Sequence, residues 1–319
     1  MALFQRLNSK LTPIINTGFG TNATVNGKRF LDKEGSARVK RLGLTFFERN
    51  SWYHTLLDLP TWKFLLLLLL FYIGINFVFA CLYFAIGIEH LNGIATTQSQ
   101  WEQFGQAYFF SAQTFTTVGY GHISPVGFLT SSLSAAEALT GLLSFAIATG
   151  LFFGRFSKPR VYLRFSENAI IAPYHGGTAL MFRMAPYKNT NYLDTEVNAT
   201  FGLSIEENGV LTNKFYTLDL EISKVNTLML SWTIVHPITE KSPFYQFTAQ
   251  DFETLQGEIL VFIKTFDDMY STTVATRTSY IFPEVVYGAK FRSMFESSTK
   301  HSHTLIHLDQ LNDFEKVTL

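Results

Sequence analysis

The chain has 319 residues, with 25 Lys plus Arg balanced against 25 Asp plus Glu, and a single cysteine, Cys81. That length accommodates one membrane unit and one soluble domain of ordinary size. The neutral balance argues against a nucleic-acid partner, which would need a basic face, and a lone cysteine excludes an intrachain disulfide.

Residues 1–50 form an N-terminal segment whose first 35 residues are polar and carry Gly18, Gly20, Gly27 and Gly35. They read as extended or mobile chain. Residues 51–59 predict a short interfacial helix, with Trp52, Leu56 and Leu59 on one side and Pro60 ending it. Phe64 to Ile86 contains no charged side chain. As a helix this run is roughly 34 Å long, enough to cross the hydrocarbon core. A first spanning helix is placed at 62–87, with Cys81 as a small apolar residue inside it.

Phe104 to Phe115 is too short to span and too apolar for a simple loop. A re-entrant helix satisfies both, since irregular backbone at membrane depth survives only where protein buries it or it lines a wet cavity. This piece and the residues after it make a unit over 103–121. A second spanning helix is placed at 127–156, rich in residues that allow close packing in lipid (Ser131, Ser132, Ser134, Ala135, Ala136, Gly141, Gly150). One acid, Glu137, lies inside it. A carboxyl there must be paired or protonated; it either faces the re-entrant helix or sits near the interface.

Nine Lys and Arg precede Trp62 (Arg6, Lys10, Lys28, Arg29, Lys33, Arg38, Lys40, Arg41, Arg49), none falls between Phe64 and Gly154, and Arg155, Lys158, Arg160 and Arg164 follow at once. The positive-inside rule then makes this a multi-pass protein of the cell (inner) membrane with both termini cytoplasmic. From Val161 the pattern changes to short alternating runs: Arg160–Phe165, Thr178–Met184, Glu196–Ile205, Tyr216–Ile222, Met229–Val235, Glu258–Phe266 and Thr273–Tyr280. Breaks at Gly176-Gly177, Asn208-Gly209 and Ser242-Pro243 separate them. This spacing predicts an antiparallel β-sandwich over 160–295, followed by a loose polar tail over 296–319. His301, His303 and His307 cluster in that tail, where a mobile segment is favoured over a metal site.

Thr116-Thr117-Val118-Gly119-Tyr120-Gly121 carries the chemistry. A potassium ion gives up its hydration shell only to a substitute of fixed oxygens, and successive backbone carbonyls supply one if all point inward. Such a backbone needs positive φ, which Gly119 and Gly121 permit. Thr117 can add its hydroxyl, while Val118 and Tyr120 point away and pack behind. The five conducting residues, Thr117 to Gly121, would hold potassium ions, and no organic cofactor is expected. One chain holds one copy of the motif, so a ring of carbonyls requires a homotetramer. The alternatives are a non-conducting receptor and a subunit of an active uptake system; the latter usually carries several imperfect loops in a longer chain. No nucleotide loop, nucleophile elbow or zinc pattern points to an enzyme.

Phe109-Phe110-Ser111-Ala112-Gln113-Thr114-Phe115 with the filter, Gly154-Arg155-Phe156-Ser157-Lys158-Pro159, Phe165-Ser166-Glu167-Asn168-Ala169, His236 to Phe244 and Arg277-Thr278-Ser279-Tyr280 together resemble the prokaryotic inward-rectifier potassium channels. The resemblance implies a two-helix pore with a re-entrant pore helix and a cytoplasmic immunoglobulin-like β-sandwich. It implies a gate at Phe153, the alternative being a lipid-facing Phe. It implies a cytoplasmic constriction at Asp268 and Met269. It also places Lys63, Arg155, Lys158 and Arg160 at the headgroups of anionic phosphoinositides, where plain membrane anchoring explains them equally well. Gln113 stands where the family usually has a Glu behind the filter, and Glu137 matches a Glu of prokaryotic members; both are implied filter supports. His122 replaces a frequent Asp and is either a pH-sensitive group or an inert exposed one. Ser144 and Phe145 occupy the place of the acid of strong rectifiers, which implies weak rectification.

Overall fold

The computed structural model describes residues 29–36, 52–95, 99–207, 210–296 and 304–319, with Pro13, Leu42, Gly43 and Thr45. The expectation for residues 1–28, the Asn208-Gly209 break, and His301 and His303 lie outside these. The chain divides into two compact units, Leu42–Lys158 and Met1–Arg41 with Pro159–Leu319.

The first unit is helical. α1 (Trp52–Asp58) is short, and Pro60 separates it from α2 (Thr61–Ile86). At 26 residues α2 is about 39 Å long, and it ends where Gly87 takes φ 118°. Beyond it lie a two-residue strand β1 (Leu91–Asn92), then α3 (Gln100–Phe115), β2 (Ser124–Pro125) and α4 (Phe128–Phe156). The structure thus supplies both long apolar helices and the shorter one between them. β1 and β2 pair antiparallel through Leu91↔Pro125 and Asn92↔Ser124, and Val126 N–H donates to the His90 carbonyl over 2.8 Å.

The second unit is two packed five-stranded sheets. One contains β3 (Leu163–Phe165), β4 (Ala169–Tyr174), β5 (Gly177–Pro186), β9 (Trp232–Pro237) and β12 (Val285–Tyr287). The other contains β6 (Tyr192–Glu207), β7 (Val210–Leu218), β8 (Lys224–Leu228), β10 (Gly257–Asp267) and β11 (Thr272–Ile281). Pairing is antiparallel except for β12 beside β4. The period-2 rule sets the core: Ile259, Val261 and Ile263 of β10 turn inward to join Phe182, Phe201, Ile234, Phe244 and Tyr280. A short helix, α5 (Ala249–Thr254), adds Phe252 under a Thr248–Asp251 capping box. Several strands depart from their predicted bounds. β4 falls between predicted runs, because its residues Ala169 to Ala172 are buried on both faces and do not alternate.

Two segments expected to be loose are packed. Phe30 and Leu31 are buried against Phe215 and Leu260, and their amides both donate to the Glu258 carboxylate. Arg29 pairs with Glu284 at 2.9 Å, and Lys33 lies 4.3 Å from the Tyr280 ring centre. At the other end, β13 (Ala289–Phe291) pairs with β16 (Phe314–Lys316), and β14 (Phe295–Glu296) with β15 (Leu305–Ile306). Leu311 is buried with Ala185 and Met294. The tail over 304–319 is therefore folded onto the sandwich, because one buried leucine and a strand pairing suffice to order a mostly polar stretch.

His236 shows how the sandwich handles a buried titratable group. Its Nδ1–H donates to the Asp219 carbonyl and its Nε2 accepts from Ser242 Oγ, each over 2.7 Å. Burial lowers its pKa from 6.5, opposed by the Asp219 carbonyl. A depressed pKa means the folded state favours neutral imidazole, so stability is full above the unfolded value and falls as pH drops through about 6.5 and below. Thermal unfolding should therefore show a melting temperature that declines below that pH, and His236→Gln should flatten the decline.

Candidate functional site

α3 ends at Phe115, and the chain reverses over its last turn. Thr116 and Thr117 N–H groups donate to Ala112 and Thr114, while Val118 and Gly119 N–H groups both reach the Gln113 carbonyl at 3.0 and 3.4 Å. These bonds occupy the helix-end carbonyls that otherwise lack partners. The backbone then alternates in hand: φ is +58° at Thr117, +53° at Gly119 and +76° at Gly121, whereas Val118 and Tyr120 are not in this region. Alternation of this kind turns successive peptide planes the same way, collecting carbonyls on one side and amides on the other. Glycines at 119 and 121 were expected. The left-handed Thr117 was not, and for a β-branched residue it is a strained conformation of the kind that marks functional sites. Within the single chain Val118 and Tyr120 are exposed, at 53% and 78%.

Three helices hold this loop. On α4, a side chain at Gly141 would run into the Phe115 carbonyl, so glycine lets the inner helix touch the last residue of α3. Beyond the loop, Gly93 meets the His122 carbonyl in the same way and takes φ +90°, next to the β1–β2 pairing. Glu137 is fully buried. Its carboxyl accepts from Tyr83 OH of α2 over 2.6 Å and contacts Ser111 Oγ of α3. Ser111 Oγ is also 3.0 Å from Asn76 Oδ1 of α2, whose Nδ2 donates to the Tyr72 carbonyl over 2.7 Å. Glu137 thus faces the re-entrant helix, one of the two positions the sequence left open. Gln113 is half-buried, and it reaches the loop through its backbone carbonyl. Asn76, Ser111 and Tyr83 were missed; the available signal was an Asn inside the charge-free run of α2.

The proposed lipid contacts divide. The guanidinium of Arg155 donates to the carbonyls of Leu56, Leu57 and Leu59 at 2.9, 3.0 and 2.7 Å and lies 4.6 Å from the Phe64 ring centre. It caps the C-terminal end of α1, where cation and helix dipole agree. Lys158 pairs with Asp58 at 2.6 Å on the surface. Lys63 lies near the Trp62 ring, and both Lys63 and Arg160 are exposed. Phe153 is 73% exposed, whereas its neighbour Phe152 packs edge-on against Phe64. In the second unit Asp268 and Met269 are both exposed in the β10–β11 turn. The turn is organised by Asp267, whose Oδ1 accepts from the Met269 and Tyr270 amides at 2.9 and 3.3 Å. Sequence reasoning named the exposed acid and missed the buried one beside it.

Comparison with known proteins places this architecture. Residues 65–158 match the ion channel family model, and residues 163–319 match the inward rectifier potassium channel C-terminal domain. The inward rectifier potassium channel Kirbac3.1 of Paramagnetospirillum magnetotacticum is 32% identical over 84% of this chain and 89% of its own length. The chain belongs to the inward rectifier potassium channel family. More distant relatives include the human G protein-activated inward rectifier potassium channel 3, 26% identical over 84% of this chain and 73% of its own. The bovine ATP-sensitive inward rectifier potassium channel 12 is 25% identical over 88% of this chain and 73% of its own. This inward rectifier is accordingly a membrane potassium channel and not an enzyme.

Arg155→Ala should release the end of α1, because hydrogen bonds to a charged group each contribute about 1.5–3 kcal/mol. Hydrogen exchange of residues 52–59 is expected to quicken by about tenfold or more. Lys158→Ala, which removes only an exposed pair, should leave it nearly unchanged. Gly141→Ala should push the Phe115 carbonyl off its seat and lower the melting temperature of the potassium-loaded protein.

Proposed function

We propose that four copies of this chain enclose one pore, with Thr117 to Gly121 of each supplying the carbonyl rings that hold potassium ions and no organic cofactor taking part. The observation that carries this reading is the left-handed backbone at Thr117, Gly119 and Gly121, which gathers carbonyls along one side. Exposure of Val118 and Tyr120 supports the tetramer, since large apolar groups beside a polar loop require a cover that one chain does not provide. α4 also leaves Leu142, Phe145, Phe153 and Phe156 exposed at helical spacing. Four such stripes around an axis would line the conduit, and Phe153 would close it by forming an apolar ring that dewets. Met269 and Asp268 serve as a second constriction and an acidic lining. Phe145 in place of an acid weakens rectification. Both termini are cytoplasmic, and anionic lipids, including phosphoinositides, modulate the channel through Lys63, Arg155, Lys158 and Arg160.

Purified protein in liposomes should pass potassium and rubidium far faster than sodium, barium should block, and crosslinking should yield a tetramer. Gly119→Asp should abolish flux while the tetramer persists. Equal sodium and potassium flux in the unaltered protein overturns the reading, and normal flux in Gly119→Asp overturns the assignment of the filter.

A further inference from the structure

The buried cluster around Glu137 contains three oxygen–oxygen contacts, and with an ionised carboxylate only the hydroxyls of Tyr83 and Ser111 have hydrogens to bridge them. Asn76 fixes the count. Its Nδ2 donates to the Tyr72 carbonyl, a group that only accepts, so the amide cannot be turned and Oδ1 must face Ser111. Ser111 has one hydroxyl hydrogen, and Asn76 Oδ1, at 3.0 Å, has none to give, so the serine donates there. Ser111 Oγ then has no hydrogen left for Glu137 Oε1, with which it is in direct contact. The other carboxyl oxygen already accepts from Tyr83 OH at 2.6 Å.

We infer that Glu137 carries a proton on Oε1 and donates it to Ser111, as a positioning residue that fastens the filter-bearing helix α3 to both α2 and α4. With that proton every hydrogen is used in one sense: Tyr83 to Glu137, Glu137 to Ser111, Ser111 to Asn76, and Asn76 to the Tyr72 carbonyl. Without it, two bare oxygens, one belonging to an anion, are pressed together in a site that water does not reach. The surroundings agree. The sequence has no Lys or Arg between Phe64 and Gly154 to balance a charge. The ionisable side chain bonded to Glu137 is Tyr83 from α2; α3 presents Ser111, and α4 itself presents Ser134, which bonds to Tyr83. An uncompensated carboxylate at membrane depth is costly, whereas a neutral acid supplies a donor without that cost. The departure at Gln113 then has a physical setting: this channel braces α3 from the opposite side through a neutral, hydrogen-bonded acid.

The inference rests on the filter reading for its consequence but not for its proton. Infrared difference spectra of the full-length tetramer, unaltered against Glu137→Gln, should contain the carbonyl stretch of one protonated carboxyl at neutral pH. Gln keeps one donor and one acceptor in place, so Glu137→Gln should retain rubidium flux within about twofold, whereas Glu137→Ala should lose about tenfold or more. Ser111→Ala provides a second variant: the band should shift in frequency yet remain. Only carboxylate stretches at neutral pH would overturn the proton, as would Glu137→Gln behaving like Glu137→Ala. If the unaltered protein shows the band but no selective flux, the channel reading fails and the proton stands.

Discussion

A backbone that turns all its carbonyls to one side cannot hold itself. In a helix or sheet each carbonyl meets an amide and the bonds sustain the shape, but carbonyls reserved for an ion are lost to that purpose. The loop from Thr117 to Gly121 therefore depends on borrowed support, and most of the helical unit can be read as its source. Gln113 gives its carbonyl to two loop amides. Gly141 brings α4 against the last carbonyl of α3. The β1–β2 pairing and the Gly93–His122 contact secure the chain beyond the loop.

The same division of labour appears in the choice of chemistry at each depth. Where the surroundings are lipid, the bracing groups are hydroxyls, an amide and an acid with no cation near it. At the end of the helical unit, Arg155 uses its full charge on the exposed carbonyls of α1. In the sandwich, where water is close, buried polar groups such as His236 and Glu258 are enclosed by backbone amides, carbonyls and hydroxyls. Each solution follows from what an unpaired group would cost in its own medium.

What the sequence disclosed follows from the same physics. Spans declare themselves by length and by absence of charge, most strands by alternation, and the proposed filter by glycines that no ordinary helix or strand would favour. The partners of Glu137 lie 26 and 54 residues away in sequence, on two other helices, so no local pattern announces them. The targets of Arg155 are main-chain carbonyls, which have no signature in a sequence. The ordered tail was missed because its hold consists of Leu311 and short strand pairings amid polar residues. Asp268 drew attention through its position in the turn, while the buried Asp267 that shapes the turn looked like its duplicate.

Thr117 carries a consequence for how sharply the loop is defined. Glycine would adopt φ +58° without strain, but it would also explore the mirror region freely, and two of the five loop residues are already glycine. A threonine forced into that conformation has few neighbouring states to visit, because its β-branch closes most of them. The strain therefore narrows the conformational ensemble at the first carbonyl of the series. If this loop is the filter proposed above, discrimination between ions that differ by fractions of an ångström relies on the breadth of that ensemble as much as on its mean. A loop with three glycines would have the same average shape and a larger entropy, and as a filter it would tell ions apart less well.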